Sequence, residues 1–248
     1  MTNESMLKEL YTTLSVMKDV SGNNIDVNET IKIARDADGK SSCGAFREYP
    51  EFHIADLIVK LESDILNKTA KKNGTAARLK ACKKILANVK KQSRESYYKP
   101  YIKDGYQHFC DGITLICLKD KLDMENGNEF DCLNNIDMSK MPTSDAFKDV
   151  SIPDKKNLEM EYKKYKALKI HPIVFQICGK IFDAEKFINL LNCVEPDKIG
   201  VSEKALNNVG MFRVEDNNEN IGFLCGVKNI NIPDNDIIKV ENGKIIEK

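Results

Sequence analysis

Two Asp-Gly dipeptides separate three runs of β-prone residues in this chain. The runs cover 97–102, 106–110 and 113–118, and the dipeptides between them are Asp104-Gly105 and Asp111-Gly112. Asp-Gly favours tight turns with positive φ, and strands joined by such turns pair in an antiparallel manner. The sequence therefore predicts a three-stranded antiparallel meander.

Helical periodicity surrounds this meander. Apolar residues at spacings of three and four predict helices over 5–19, 51–67, 75–91 and 154–168. A short helix over 27–34 is predicted with Asn28 as its cap. A further helix is predicted to begin after the cap Asp183, with Phe182 packed on Phe187.

A related order of elements returns later in the chain. One strand is predicted over 173–181, and three more over 198–203, 210–214 and 221–227, after the helix that Asp183 caps. A helix followed by three strands thus occurs at 75–118 and again at 183–227. Asn242-Gly243 predicts a terminal hairpin. These patterns predict an α+β fold with two such units over 71–248 and a helical N-terminal part over 1–70.

The charges of the chain are unevenly distributed. Formal net charge is zero, yet residues 68–103 hold twelve basic residues against one acid, Glu95. Concentrated positive charge is typical of proteins with a polyanionic partner. A lysine-rich helix face that only interacts with solvent is the competing interpretation.

The helix predicted over 75–91 separates its apolar and basic residues. At 100° per residue, Leu79, Cys82, Ile85, Leu86 and Val89 share one face. Its lysines gather on the opposite face and its flank. The resulting nucleic-acid-binding candidates are Arg78, Lys80, Lys83, Lys84, Lys90, Lys91 and Arg94. Because lysines dominate, we expect contacts to the phosphate backbone with little base readout.

Aromatic residues follow the basic segment directly. Tyr97, Tyr98, Tyr101 and Tyr106 stand next to it. Exposed bases stack on such rings, so this neighbourhood favours the nucleic-acid hypothesis.

No catalytic or metal-binding signature is present in the sequence. A P-loop, G-x-G-x-x-G, G-x-S-x-G and H-E-x-x-H are all missing, and the histidines His53, His108 and His171 are far apart. Cys-x-x-Cys is also missing, so we expect no structural metal, no cofactor and no enzymatic activity. Asp104 and Asp111 are explained by their turns.

Eight cysteines fall at apolar positions of periodic segments. They are predicted to be free, buried thiols: Cys43, Cys82, Cys110, Cys117, Cys132, Cys178, Cys193 and Cys225. The first twenty residues lack the apolar middle of a signal peptide, and no apolar run has the length of a membrane span. We therefore expect a cytoplasmic protein with no membrane partner. Abundant Lys, Asn and Ile suggest an AT-rich genome, as in some bacteria and phages.

The duplicated helix and meander resemble the half-domain repeat of DNA sliding clamps. The segment 104–115, with the sequence DGYQHFCDGITL, is similar to the strand, Thr-Asp-Gly-x-Arg-Leu turn and strand of bacterial and phage clamps. Cys110 stands for the Thr of that turn and Thr114 for the Arg. The resemblance covers about residues 75–230, and its later part, 175–227, is similar to the second half of a clamp domain. It has no place for residues 1–70.

This resemblance implies a function for the basic helix. Helices of sliding clamps line a ring and touch the phosphates of the encircled DNA, while strands at subunit edges pair to close it. The second helix here departs from that pattern, because Glu185, Asn189 and Asn192 are predicted to be exposed with only Lys186 nearby.

The sequence thus leaves three classes of function. The first is a non-catalytic, sequence-independent DNA-binding or replication-accessory protein that contacts duplex DNA and has protein partners or self-associates. The second is a protein-interaction or structural module with no nucleic-acid role. The third is an enzyme acting on nucleotides or nucleic acid, which lacks an identifiable base, nucleophile or metal cluster.

Overall fold

The protein has a mixed α+β fold. The computed structural model describes residues 2–19, 21–36, 49–91, 99–127, 146–202, 210–227, 232–233 and 236–246. The chain divides into two compact units, Met1–Ala76 and Ala77–Lys248. The sequence placed this division between residues 70 and 71.

Three helices build the described part of the first unit: α1 (Asn3–Val16), α2 (Val27–Asp36) and α3 (Pro50–Lys72). The long α3 packs against both α1 and α2. Their shared core consists of Leu14, Ile31, Ala34, Ala55 and Ile58. Glu62 ties the three helices together, because its carboxylate accepts the Tyr11 hydroxyl at 2.6 Å and an Arg35 N–H at 2.9 Å.

Two sequence expectations for this unit are wrong. The cap of α2 is Asp26, whose carboxylate accepts the Glu29 N–H at 3.0 Å, and Asn28 lies inside the helix. The spacing of Ile54, Leu57, Ile58, Leu61 and Ile65 predicts that Leu57 lies in the core stripe of α3. Leu57 is however 52% exposed, whereas Ala55 is buried. A small side chain lets neighbouring helices approach closely, so the buried face of α3 is rotated towards Ala55.

The second unit alternates helices and strands. The first half contains α4 (Ala76–Lys91), β1 (Tyr101–Lys103), β2 (Tyr106–Cys110), β3 (Thr114–Leu118), β4 (Phe147–Asp149) and α5 (Lys155–Ala167). The second half contains β5 (Val174–Ile177), β6 (Lys180–Asp183), α6 (Ala184–Cys193), β7 (Lys198–Ser202), β8 (Met211–Glu215), β9 (Ile221–Cys225), β10 (Ile237–Glu241) and β11 (Lys244–Ile245).

The meander predicted from the Asp-Gly dipeptides is confirmed. β1, β2 and β3 pair antiparallel in sequence order. Asp104 and Gly105 have φ values of 51° and 83°, as the tight turn requires. In the second turn, the Asp111 carboxylate accepts the N–H groups of Ile113 at 3.0 Å and Thr114 at 2.7 Å. Asp111 therefore has the turn role that its sequence context predicts.

The two meanders form one sheet. The seven-stranded sheet has the strand order β1-β2-β3-β9-β8-β7-β4. The third strand of the first meander, β3, therefore lies next to β9, the third strand of the second meander, which consists of β7, β8 and β9. Their antiparallel pairing places Ile116 opposite Gly222. The strands of 75–118 and 183–227 thus belong to one continuous sheet. Whether residues 75–118 and 183–227 superpose as copies stays a prediction.

A second sheet corrects the prediction for residues 173–181. The single strand expected there is a hairpin, β5 and β6, with a turn at Cys178-Gly179 where both residues have positive φ. β10 pairs with β5 in parallel and with β11 antiparallel, which completes the four-stranded order β11-β10-β5-β6. The terminal hairpin at Asn242-Gly243 is confirmed. β4 lies in the segment 119–153, which is polar in sequence and for which no strand was predicted.

Helix α6 packs its apolar face against both sheets. As predicted, the Asp183 carboxylate caps it by accepting the Lys186 N–H at 2.8 Å, and Phe182 packs on Phe187 with ring centres 6.2 Å apart. Phe187 also contacts Phe175 of β5 and Phe212 of β8. This aromatic cluster joins α6 to β5 and β6 of the four-stranded sheet and to β8 of the seven-stranded sheet.

Gly222 lets α6 approach the centre of the large sheet. A Cβ at this position would lie 2.5 Å from the Leu190 Cδ1 atom and 3.0 Å from a Val214 methyl group. Leu190 is fully buried, so its side chain has little room to move. We expect Gly222→Ala to lower the free energy of unfolding by about 1–3 kcal/mol, as overpacking does.

A double-mutant cycle measured by urea denaturation checks this origin. Leu190→Ala alone is expected to cost about 2–5 kcal/mol. Gly222→Ala should cost clearly less in the Leu190→Ala background, because the cavity accepts the new methyl group. Equal costs in both backgrounds would contradict the packing described.

Candidate nucleic-acid interface

Helices α4 and α6 lie side by side and antiparallel. Three contacts between α4 and α6 hold the two helices in this arrangement. The Arg78 Nε–H donates to the Cys193 carbonyl at 2.8 Å, the Asn189 side chain donates to the Ala81 carbonyl at 3.0 Å, and the Lys84 ammonium lies 2.5 Å from the Glu185 carboxylate. The start of α4 therefore meets the end of α6.

The predicted division of α4 into two faces is confirmed. Its apolar residues are all buried: Leu79, Cys82, Ile85, Leu86 and Val89. Lys80 and Lys84 are exposed, and Lys83 is half-buried on the flank, where burial lowers its pKa. The side chains of Lys90 and Lys91, and all of Arg94, lie outside the described residues. Two of the seven predicted basic residues thus reach solvent from the described surface of α4.

The side chain of Arg78 is largely buried and contacts acceptors within the protein. Its side chain is 15% exposed, and besides the Cys193 carbonyl it contacts carboxylate oxygens of Asp216 at 3.5 Å and Asp120 at 3.7 Å. Asp216 is itself buried and begins the turn after β8, where its carboxylate accepts the N–H groups of Asn218 and Asn220 at 2.9 Å. Because the guanidinium binds protein acceptors from three segments, these contacts account for Arg78 without a nucleic-acid phosphate.

Lys84 belongs to a small polar cluster with α5 and α6. Its partner Glu185 also interacts with the Tyr162 hydroxyl of α5, whose pKa is raised by burial and by the charge of Glu185. The hydrogen bond from Lys84 lowers the pKa of Glu185, and the nearby charge of Lys166 acts in the same direction. The Lys166 ammonium lies 5.5 Å from the centre of the Tyr162 ring. We call Lys84, Tyr162, Lys166 and Glu185 the Glu185 junction.

Asn189 and Asn192 were predicted to be exposed on α6 but are half-buried. Asn189 and the neighbouring Lys186 have partners inside the protein. Asn189 bonds to α4, and the Lys186 ammonium forms an ion pair with Asp111, which is almost fully buried. A polar cavity of about 430 Å³ lies beside them. Its lining includes Lys84, Asn88, Asp111, Thr114, Asp183 and Lys186. Because Lys186 and Asp111 are paired with each other, neither of them contributes an unpaired charge to this cavity.

Helix α5 is also basic, but none of its residues was among the predicted nucleic-acid-binding candidates. It holds five lysines and two glutamates, and it packs against α6. Lys163 and Lys166 are exposed, and Tyr162 faces Glu185. The density of lysine in 155–166 was a visible signal, but only the fold brings this segment next to α6 and α4.

Two of the four tyrosines that favoured base stacking have contacts within the protein. Tyr101 is 2% exposed and stacks on the His108 ring at 4.8 Å. Tyr106 is half-buried, with the Lys119 ammonium 4.9 Å from its ring centre. The proposed stacking role of Tyr101 is wrong because its ring is covered. Tyr97 and Tyr98 lie outside the described residues.

The fold brings His108 and Cys117 together, which the sequence did not reveal. On neighbouring strands, the Cys117 Sγ atom lies 3.3 Å from the His108 Nδ1 atom. Burial raises the pKa of the Cys117 thiol to about 12 and lowers the pKa of His108. A reactive cysteine needs an accessible thiolate. This pair therefore has the properties of a neutral, buried hydrogen bond.

A second pair of thiols links α4 to α6. The Sγ atoms of Cys82 and Cys193 are 3.8 Å apart, and both residues are buried. Burial raises the pKa of Cys82 well above its usual range. The prediction of buried thiols is confirmed for Cys82, Cys110, Cys117 and Cys193. It is wrong for Cys178, which is exposed in the turn after β5; Cys225 is half-buried, and Cys43 and Cys132 lie outside the described residues.

Within the described ranges, no group of three or more His, Cys, Asp or Glu residues is placed to hold a metal ion. In that same part of the chain, no helix combines the length and the apolar character that a bilayer span requires.

No protein-family model, curated protein or solved structure matches this chain.

The different environments of Arg78 and Lys80 predict different effects on stability. We expect Arg78→Met to lower the free energy of unfolding by about 2–4 kcal/mol, because the buried Asp216 loses a cationic partner and the Cys193 carbonyl loses a donor. Lys80→Met makes the same kind of change at an exposed position, so its effect should stay within about 0.5 kcal/mol. Urea denaturation of both variants measures the difference. Equal stabilities would contradict the contacts described for Arg78.

The thiols should react in the order of their exposure. We expect a maleimide to modify Cys178 first, while Cys82, Cys110, Cys117 and Cys193 react slowly until the protein is unfolded, because their thiols are buried. Peptide mapping by mass spectrometry follows each site separately. Rapid modification of Cys82 or Cys193 in the native protein would show that α4 and α6 are not packed as described.

Proposed function

We propose that the second unit is a non-catalytic module that binds the phosphate backbone of duplex DNA through α4, as part of a clamp-like replication-accessory protein. The observation that carries this proposal is the orientation of α4. The helix has six basic and no acidic residues, and its whole apolar stripe is buried. Burial of that stripe directs Lys80 and Lys84 to solvent, where ammonium groups can replace counterions on phosphates.

The arrangement of the sheet supports the clamp-like part of the proposal. Sliding clamps duplicate a helix and a meander, and here two such segments meet through β3 and β9 in one sheet. The helices that precede the meanders, α4 and α6, lie antiparallel. This is the layout that two related units would adopt around a pseudo-twofold axis.

The structure narrows the residues that we propose for DNA binding. Arg78 is left out, since its guanidinium contacts Asp216, Asp120 and the Cys193 carbonyl. Lys80 and Lys84 remain, with the half-buried Lys83 on the flank of α4, together with Lys90, Lys91 and Arg94 from the sequence. Lysines contact phosphates without reading bases, so binding should have little sequence preference. A cytoplasmic location and a bacterial or phage origin belong to the same proposal.

One observation favours the alternative of a protein-interaction or structural module. Lys84 is already paired with Glu185, and the same arrangement suits a lysine face that only keeps the protein soluble. The two functions differ in whether duplex DNA binds at low salt, which a direct measurement decides.

We expect the full chain to bind two duplexes of unrelated sequence with similar affinity, and the logarithm of affinity to fall linearly with the logarithm of salt concentration. Replacing Lys80, Lys84 and Lys91 together by Gln should flatten this slope by about two to three units, since each lost phosphate contact removes nearly one counterion. Fluorescence anisotropy of labelled duplexes at several salt concentrations gives the slopes.

A matched variant controls for the loss of charge. Lys121, Lys198 and Lys244 are exposed and lie outside the helices, so their joint replacement by Gln changes the net charge equally. It should leave the slope nearly unchanged, and thermal melts should show both triple variants folded. Absence of duplex binding at low salt, or equal slopes for the two triple variants, would reject DNA binding through α4 and favour the interaction module.

A further inference from the structure

The Glu185 junction gathers several donors around one carboxylate. The Lys84 ammonium of α4 lies 2.5 Å from the Glu185 carboxylate, and the Tyr162 hydroxyl of α5 interacts with the same carboxylate. Lys166, one helical turn after Tyr162, brings a second ammonium group to the same place. The chain thus directs a phenol hydroxyl and two cations, from two helices, towards a single anionic group on a third helix.

These donors match the chemistry of a phosphate oxygen as well as that of a carboxylate. Ammonium groups and a phenol hydroxyl form charge-assisted hydrogen bonds to either anion. The junction is also accessible, because the side chains of Lys84 and Glu185 are 45% and 50% exposed. An anion from solution can therefore reach the same donors if the Glu185 side chain turns away.

The ion pair of Glu185 with Lys84 is expected to contribute little to the stability of the fold. Exposed ion pairs contribute little to folding, because holding two long side chains in one geometry costs entropy and salt screens their attraction. Yet Glu185 neutralises a lysine of the surface proposed for DNA binding. Its low pKa, caused mainly by the hydrogen bond from Lys84, keeps the carboxylate ionised at neutral pH.

We propose that Lys84, Tyr162 and Lys166 form a subsite for one backbone phosphate of duplex DNA, and that the Glu185 carboxylate occupies this subsite when the protein is unbound. The inference rests on the proposed function and extends it, since the binding surface then continues from α4 across α6 to α5. Binding at this subsite exchanges one anion for another, so the intact Glu185 weakens association and makes it reversible.

If Glu185 occupies the subsite in the unbound protein, removing its carboxylate should raise the affinity for duplex DNA. Glu185→Gln should bind duplex DNA about 3- to 10-fold more tightly at low salt, with a salt dependence steeper by about one unit, because Lys84 becomes available for a phosphate. Glu161→Gln is the control for the loss of one negative charge: Glu161 pairs with Lys164 at 2.8 Å on α5 and is not a member of the Glu185 junction. Its affinity should stay within about twofold of that of the unmodified chain.

A double-mutant cycle tests whether Glu185 acts through Lys84. Lys84→Gln should weaken binding about twofold in the unmodified chain and about 5- to 10-fold in the Glu185→Gln background, because only there is the lysine unpaired. Lys166→Gln should lose more affinity in the Glu185→Gln background too. This second variant tests the subsite without depending on Lys84.

The outcomes separate this inference from the function on which it rests. If neither the unmodified chain nor Glu185→Gln binds duplex DNA at low salt, the proposed function fails and the subsite with it. If the unmodified chain binds but Glu185→Gln gains no more affinity than Glu161→Gln, only the subsite is rejected. If Glu185→Gln binds inorganic phosphate more tightly than the unmodified chain does, at ionic strength matched by chloride, but binds duplex DNA no more tightly than Glu161→Gln does, the subsite is assigned to free phosphate and duplex DNA is overturned as its ligand.

Discussion

The antiparallel pairing of β3 with β9 is the interaction on which the second unit depends. It joins two meanders, each held by its own local turns, into one sheet. Leu190 of α6 packs directly over this seam, next to Gly222. Since Arg78, Ala81 and Lys84 of α4 bond to α6, the position of the first half of the basic helix depends on the pairing of β3 with β9. A change at Gly222 or Leu190 is therefore transmitted to the surface proposed for DNA binding, although neither residue is part of it.

The features that the sequence predicted well are those with local causes. The Asp104-Gly105 turn, the Asp183 cap with Phe182 on Phe187, and the buried stripe of α4 each depend on residues within a few positions of one another. Local competition also explains two errors. Asp26 outcompetes Asn28 as the cap of α2, and the apolar run 173–181 hides a turn because Cys178 is not a typical turn residue.

The candidate site was less predictable because its chemistry comes from distant parts of the chain. Arg78 seemed equivalent to its lysine neighbours in sequence, but Asp216, 138 residues away, gives it a structural role. Asn189 and Ala81 are 108 residues apart and yet in contact. Helix periodicity identifies which face of α4 is exposed, whereas only tertiary structure shows which cations on that face already have an acidic partner.

The distribution of charge among α4, α5 and α6 has a physical consequence for any polyanion that approaches them. α4 and α5 carry excess positive charge, while the one acid and the one lysine of α6 cancel. Glu185 lies where all three helices meet, so its carboxylate has the strongest local influence on the attraction between the two basic helices and an anion. Coulombic attraction at an exposed surface is small per pair and strongly screened. A single carboxylate at the junction can thus adjust the affinity of this face for DNA without any change in the fold, because the packing of α6 depends on the apolar side opposite Glu185.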